Sequence, residues 1–160
     1  MFKRFLSLLI AVIVCGTAFA EEFSLQGETR VAMRINWSEA VIGAGYTAET
    51  ILSYEQDWNK DQPVLLDKLV SKYNSKLGYE LPAVKNVVAN YTIELRPLMV
   101  NNKGDMSCYA VVLDRQGKEV YRVEQFKAEG GHCGTFLNLV GDGMKSAGKK
   151  LAKLVKKELL

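Results

Sequence analysis

The stretch MSCYAVVLDRQGKEVYRVEQFK, residues 106–127, decides the fold class because it contains two strands and the turn between them. Apolar, aromatic and β-branched side chains recur in residues 106–113 and 118–127, as is typical of β-strands. Gly117 ends the connecting DRQG, where a glycine suits a type I turn followed by a left-handed residue. The stretch therefore predicts a β-hairpin with a three-residue loop.

The register of this hairpin assigns side chains to its two faces. We expect Cys108 to point away from the apolar face, because strand side chains alternate between faces and a one-residue slip would exchange them. The predicted apolar face consists of Tyr109, Val111, Leu113, Tyr121 and Val123.

Two further strands are predicted before the hairpin. Residues 29–36 and 91–95 alternate apolar with polar side chains, which indicates strands with one wet face. Pro97 predicts that the second of these strands weakens or lies at a sheet edge, since proline cannot donate to a strand ladder.

A helix is predicted between these two strands. Residues 63–77 carry apolar side chains at helical spacing, and we expect Asp61 to cap the helix and Gly78 to end it. The segment before it, residues 37–60, shows neither period and is interpreted as a loop with some helix.

A lysine-rich amphipathic helix is predicted at the end of the chain, after the glycine-rich break at residues 130–134. Residues 143–160 hold six lysines and one glutamate, and a kink is expected at residues 141–143. Apolar side chains of residues 144–160 fall on one arc, which we expect to pack on the sheet. The opposite arc is a candidate membrane or partner surface and consists of Lys145, Lys149, Lys150, Lys153, Lys156 and Lys157.

These elements predict an α+β domain. Their order, strand, helix, three strands and helix, favours an antiparallel-rich sheet of about four strands with the helices packed on one face. We expect residues 21–160 to form a single domain, since domains commonly have about 100 to 150 residues.

The first 20 residues have the pattern of a secretory signal peptide. A basic start precedes an apolar run at residues 5–14 that is too short to span a bilayer. The small residues around Phe19 predict cleavage between Ala20 and Glu21, and this site is favoured over lipidation at Cys15. The mature protein is therefore expected to be periplasmic or secreted.

Cleavage leaves a chain with almost balanced charge. Removing Lys3 and Arg4 lowers the 21 basic residues to 19, against 18 acidic residues. This balance argues against general binding to nucleic acid, which requires a strongly basic surface. The basic character is concentrated in the last helix.

The remaining cysteines and the single histidine do not form a recognised catalytic or metal-binding pattern. Cys108 and Cys133 permit one disulfide in an oxidising compartment, and the sequence leaves open whether it forms. His132 adjoins Cys133, but adjacent side chains in an extended segment diverge. Zinc requires about four suitable ligands, so we predict no metal site. We also predict no cofactor and no enzymatic activity.

The layout resembles that of small envelope domains of the TolB amino-terminal, curli-secretion and penicillin-binding-protein-activator types. The similar features are the strand at residues 91–95, the hairpin turn at residues 114–117 and the helix at residues 144–160. Uncharacterised small exported proteins of Gram-negative bacteria also resemble the chain. The resemblance implies a non-catalytic binding or assembly module for a protein partner or envelope component. The alternatives are a peripheral membrane protein that uses the basic helix and an enzyme of unknown reaction.

Overall fold

The computed structural model describes residues 22–160, so the predicted signal peptide and its cleavage site lie outside the described part of the chain. Within this range no helix combines the length and apolar character needed to cross a membrane. A short 3-10 helix covers Ile51–Ser53. The other elements are β1 (Val31–Ile35), β2 (Val41–Ile42), α1 (Trp58–Leu77), β3 (Ala83–Val84), β4 (Thr92–Val100), β5 (Met106–Leu113), β6 (Glu119–Ala128) and α2 (Phe136–Leu159).

The strands form one mixed sheet, which corrects the predicted antiparallel-rich sheet of about four strands. The order is β3-β1-β4-β5-β6, and β2 pairs with the far end of β4. β1 is parallel to β3 and β4, whereas β5 is antiparallel to β4 and β6. Parallel pairing of β1 with β4 requires a long crossover connection, which α1 provides. The predicted α+β class is confirmed, with six strands within the described range.

β4 lies inside the sheet, so of the two alternatives predicted at Pro97 the edge position was wrong and the weakened later half is confirmed. β1 pairs with residues 92–95, and β2 pairs with Met99 and Val100, so Pro97 lies in the gap between these neighbours. On the other side, a register shift between Pro97 and Met99 interrupts the pairing with β5. The strand tolerates proline because the ladder is already irregular there.

The turn between β5 and β6 confirms the predicted hairpin loop. Gly117 has a φ of 80°, the left-handed conformation that the loop requires. The N–H of Asp114 donates to the carbonyl of Lys118 at 2.9 Å, and the N–H of Gly117 donates to the carbonyl of Asp114 at 3.0 Å.

A bulge in β6 changes the predicted faces of the hairpin. Leu113 pairs with Glu119, whereas the preceding Val112 pairs with Tyr121, so Val120 is an extra residue in β6. This extra residue turns the following part of β6 over relative to β5. The prediction that Tyr121 and Val123 share a face with Tyr109, Val111 and Leu113 was therefore wrong.

α1 begins earlier than predicted. Its first residue is Trp58 rather than Pro63, and Asp57 precedes it without a side-chain capping hydrogen bond, so Asp61 lies in the first turn instead of capping the helix. The predicted end is confirmed, because the helix stops at Leu77. Residues 37–60 were interpreted as a loop with some helix. The structure places β2, the 3-10 helix and the start of α1 in this segment.

α2 continues as one helix through residues 141–143, where a kink was expected. Thr135 caps it, since its side-chain oxygen accepts a hydrogen bond from the N–H of Asn138 at 3.3 Å. The predicted apolar stripe packs into the core through Met144, Ala147, Leu151, Val155 and Leu159.

α1 and α2 run parallel to each other on one face of the sheet. Gly148 lies against the backbone of Leu69, and eight residues later Lys156 pairs with Glu80, just beyond the end of α1. A Cβ at position 148 would collide with the carbonyl oxygen of Leu69, so glycine permits the close approach of the two helices. Both helices bury their apolar residues in the same core as the inner face of the sheet.

Candidate functional site

The helix-free face of the sheet, opposite α1 and α2, carries an apolar strip formed by Leu98, Tyr109, Val111 and Leu113. Val111 has no exposed surface although it belongs to this separate cluster. It pairs with Glu94 on one side and Arg122 on the other. Charged residues therefore flank the strip. Their long side chains can cover apolar neighbours with their stems.

Glu94 is a buried charged residue on this face, with 2% of its surface exposed. Its Oε1 accepts hydrogen bonds from Arg96 Nε at 2.7 Å and Asn36 Nδ2 at 3.2 Å, and its Oε2 accepts one from Arg34 Nε at 2.5 Å. Burial acts to raise the pKa of Glu94, but the hydrogen bonds from Arg96, Asn36 and Arg34 outweigh it and hold the pKa below its ordinary value. Glu94 is therefore an ionised acceptor that fixes two arginines.

Tyr109 connects this carboxylate cluster to the edge of the sheet. The guanidinium carbon of Arg122 lies 4.8 Å from the ring centre of Tyr109, and that of Arg96 lies 5.8 Å from it. The Tyr109 hydroxyl donates to Glu39 Oε1 at 3.0 Å and accepts a hydrogen bond from Arg96 Nη1 at 3.3 Å. Hydrogen bonds to Tyr109 and Glu94 raise the pKa of Arg96 further above its ordinary value. The ring is thus held between two cationic groups, an arrangement that cation–π attraction favours.

Two open hollows border this cluster. One, of about 510 Å³, is lined by Glu39, Leu98, Tyr109 and Arg122. The other, of about 620 Å³, lies where β1 ends, beside Arg34 and Trp37. Their walls combine apolar surface with charged groups, so each can receive a side chain of a bound molecule.

The sequence left open a disulfide between Cys108 and Cys133, and in the structure both residues are free thiols. Cys108 points into the core and is fully buried, contrary to the expectation that it faces away, whereas Cys133 is exposed in the turn before α2. A bridge needs the two Cβ atoms about 4 Å apart. Burial raises the pKa of Cys108 to about 12, so this thiol is unreactive in the folded protein.

The six predicted lysines lie along α2, but they differ in their surroundings. Lys149, Lys153, Lys156 and Lys157 are exposed, whereas Lys145 and Lys150 are partly buried. Lys145 pairs with Asp142 at 2.8 Å, and Lys150 donates to the carbonyl of Lys127 at 2.7 Å. The role of this surface in membrane or partner binding stays a prediction.

The cluster on the helix-free face was not predicted from the sequence. The alternation in residues 91–95 indicated a wet face that includes Glu94, but not which side chains neighbour it. Arg34 and Glu94 are paired in register only because β1 lies parallel to β4. Charges at alternate positions of two strands were the available signal, and the strand pairing was the missing information.

Comparisons with known proteins do not assign a family: no family model matches the chain, and no curated protein matches it. A PelC dodecamer from Paraburkholderia phytofirmans is 9% identical over 82% of this chain and 88% of that chain, with a TM-score of 0.43. A DUF330 protein from Xanthomonas campestris is 7% identical over 84% and 91%, with a TM-score of 0.44. A candidate lipoprotein from Caulobacter crescentus is 13% identical over 76% and 87%, with a TM-score of 0.37.

These three structures are at most 13% identical to this chain and have TM-scores below 0.5, so they do not test the predicted resemblance to small exported envelope proteins. The TolB amino-terminal, curli-secretion and penicillin-binding-protein-activator types are not among the three structures described above. The resemblance stays a prediction.

Proposed function

We propose that this protein is a non-catalytic, exported binding module that docks a protein partner or envelope component through the helix-free face. The observation that carries this proposal is the position of Tyr109 between Arg96 and Arg122, over buried apolar residues and beside a hollow. Tyrosine and arginine are enriched among residues that dominate binding energies, and such residues cluster around pockets. The proposed periplasmic or secreted location depends on the predicted signal peptide.

The hydrogen bonds of Glu94 support this proposal because they order the docking face before a partner arrives. Arg34 and Arg96 are each held by an oxygen of the same carboxylate. A fixed side chain loses less conformational entropy on binding than a free one. The arginines still have terminal nitrogens that can donate to acceptors on a partner.

The protonation properties of Glu94, Arg96 and the core residue Cys108 favour binding over catalysis. A general acid or base works best with a pKa near the working pH. The pKa of Glu94 is lowered, that of Arg96 is raised, and burial raises that of Cys108 to about 12. Each shift moves the group away from neutral pH, so none of the three is suited to proton transfer there.

Site-specific photocrosslinking in the native host tests the proposed docking face. A photoreactive residue at Leu98, which is partly exposed beside Tyr109, is expected to yield an adduct of defined mass in the envelope fraction. The matched position is Val64, an exposed residue of α1 on the other side of the molecule. Equal adducts from both positions, or none from Leu98, would contradict the proposal.

A further inference from the structure

The helix layer carries a second surface that the sequence revealed only in part. We define the basic end as Lys72 and Lys76 in the last turns of α1 together with Lys149, Lys153 and Lys157 in the second half of α2. The sequence pattern identified the lysines of α2 alone. Because α1 and α2 are parallel, lysines from the C-terminal halves of both helices lie at the same end of the molecule.

Close packing brings the lysine-bearing segments of the two helices together. A Cβ built at Gly148 would lie 3.2 Å from the Cβ of Lys72. The two helices are therefore in contact at the first lysine that α1 contributes to the basic end. Like charges on neighbouring helices repel one another, and this cost is reduced when a counter-charge is bound.

Counter-charges on the protein itself are used by other lysines. Lys145 pairs with Asp142, Lys156 pairs with Glu80, and Lys85 pairs with Asp67. Within residues 22–160 the five lysines of the basic end form no ion pair. Glu158, which directly follows Lys157 in the sequence, accepts a hydrogen bond from the hydroxyl of Tyr121 on the sheet.

An exposed aromatic residue adjoins the same end. Tyr79 follows Gly78 at the end of α1, and its side chain is completely exposed. It is three residues beyond Lys76 and next to Glu80, the partner of Lys156. Tyrosine is enriched at membrane–water interfaces, where its ring contacts lipid and its hydroxyl contacts water.

From these observations we propose that the basic end and Tyr79 lie against the surface of an anionic phospholipid bilayer. The lysines attract lipid phosphates, and the Tyr79 ring enters the headgroup layer. Because the mature chain has nearly balanced charge, this contact is local to one end. The proposal is independent of partner docking, since the helix-free face lies on the opposite side of the sheet from the helices.

Vesicle cosedimentation of the mature protein tests the proposal with two lysine variants of equal net charge. The test variant carries Lys76→Gln, Lys149→Gln and Lys153→Gln. Its matched control carries the same change at three exposed lysines elsewhere, Lys60, Lys103 and Lys118. Each lysine near an anionic surface contributes roughly fivefold to binding, so the test variant is expected to bind about 100-fold more weakly. The control and the wild type are expected to bind alike.

The lipid composition and a fluorescence probe complete the test. Binding is expected with vesicles that contain phosphatidylglycerol and not with pure phosphatidylcholine. Tyr79→Trp is expected to shift its emission to shorter wavelength on vesicle addition, because Trp37 and Trp58 are buried and contribute a constant background. Equal loss in both lysine variants, absence of wild-type binding or an unchanged emission would overturn the proposal, provided circular dichroism shows that each variant is folded.

Discussion

At the scale of single residues, Glu94 determines how the helix-free face presents its charge. The residue sits in β4 between Arg34 of β1 and the apolar strip of β5, and three donors satisfy its two oxygens. A buried carboxylate without such partners would be strongly destabilising. The three donors therefore offset the cost of burying this carboxylate at the place where we propose that a partner docks.

Glu94→Gln is expected to lower the free energy of unfolding by about 1 to 2 kcal/mol at pH 7, since the amide cannot accept from three donors as the carboxylate does. The expected loss in the free energy of unfolding is modest because water can still solvate Arg34. The folded pKa of Glu94 is lowered, so its stabilisation is present above the unfolded pKa of about 4.3 and is lost as pH falls through the folded pKa. Urea unfolding at pH 7 and pH 3 should therefore show the difference shrinking in acid.

The exposed Glu49 provides the control for this measurement. Glu49→Gln is expected to change the free energy of unfolding by less than about 0.5 kcal/mol at either pH. A Glu94→Gln effect of the same size at pH 7 and pH 3 would show that the ionised carboxylate is not the source of the stabilisation.

The two cysteines are expected to react as separate free thiols in the mature protein. A thiol reagent at neutral pH should modify Cys133 in the native state, because that residue is exposed. Cys108 should react only after unfolding, since it is buried and its pKa is raised to about 12. Thiol titration with and without denaturant measures both steps, and finding no thiol in non-reducing denaturant would instead establish a disulfide.

At the scale of elements, single residues decide where strands bulge and where helices meet. The extra residue at Val120 turns the second hairpin strand over, and periodicity cannot predict this because one residue is enough to exchange the faces. Gly148 permits contact between α1 and α2. In sequence it is a helix glycine like Gly141, and only the structure distinguishes the two.

Gly148→Ala and Gly141→Ala are expected to have different effects on stability. A methyl group at position 148 meets the backbone of Leu69, which cannot yield easily, so this variant should lose about 1 to 3 kcal/mol. At position 141 the methyl group meets the flexible end of Lys68, and the higher helix propensity of alanine should leave stability unchanged or raise it by up to about 1 kcal/mol. Equal losses measured by thermal unfolding would contradict the close packing at Gly148.

At the scale of the whole molecule, sequence patterns predicted the features that depend on local chemistry. The hairpin turn at Gly117, the end of α1 and the buried stripe of α2 follow from turn residues and periodicity. β2 and β3 have two residues each, too few to show a period. The parallel pairing of β1 with β4 depends on contacts between distant parts of the chain. Without that pairing, the residues that neighbour Glu94 could not be predicted.

The complete molecule has two chemically different sides. The helix-free face holds paired charges around an apolar strip, while the basic end of the helix layer holds lysines without ion pairs among residues 22–160. This division is consistent with our proposals that one side docks a partner and the other contacts lipid. It also means that each proposal can be tested with variants that leave the other surface intact.

The size of the complexes formed in the envelope extract tests the docking of a partner most directly. Arg122 packs over Tyr109 on the docking face, and Arg115 is exposed in the hairpin turn, so Arg122→Glu and Arg115→Glu make the same charge change at two places. Size-exclusion chromatography should find wild type and Arg115→Glu in a complex larger than the free mature chain, and Arg122→Glu at the position of the free chain. Wild-type protein that elutes as the free chain, or Arg122→Glu that stays in the complex, would contradict docking through the helix-free face.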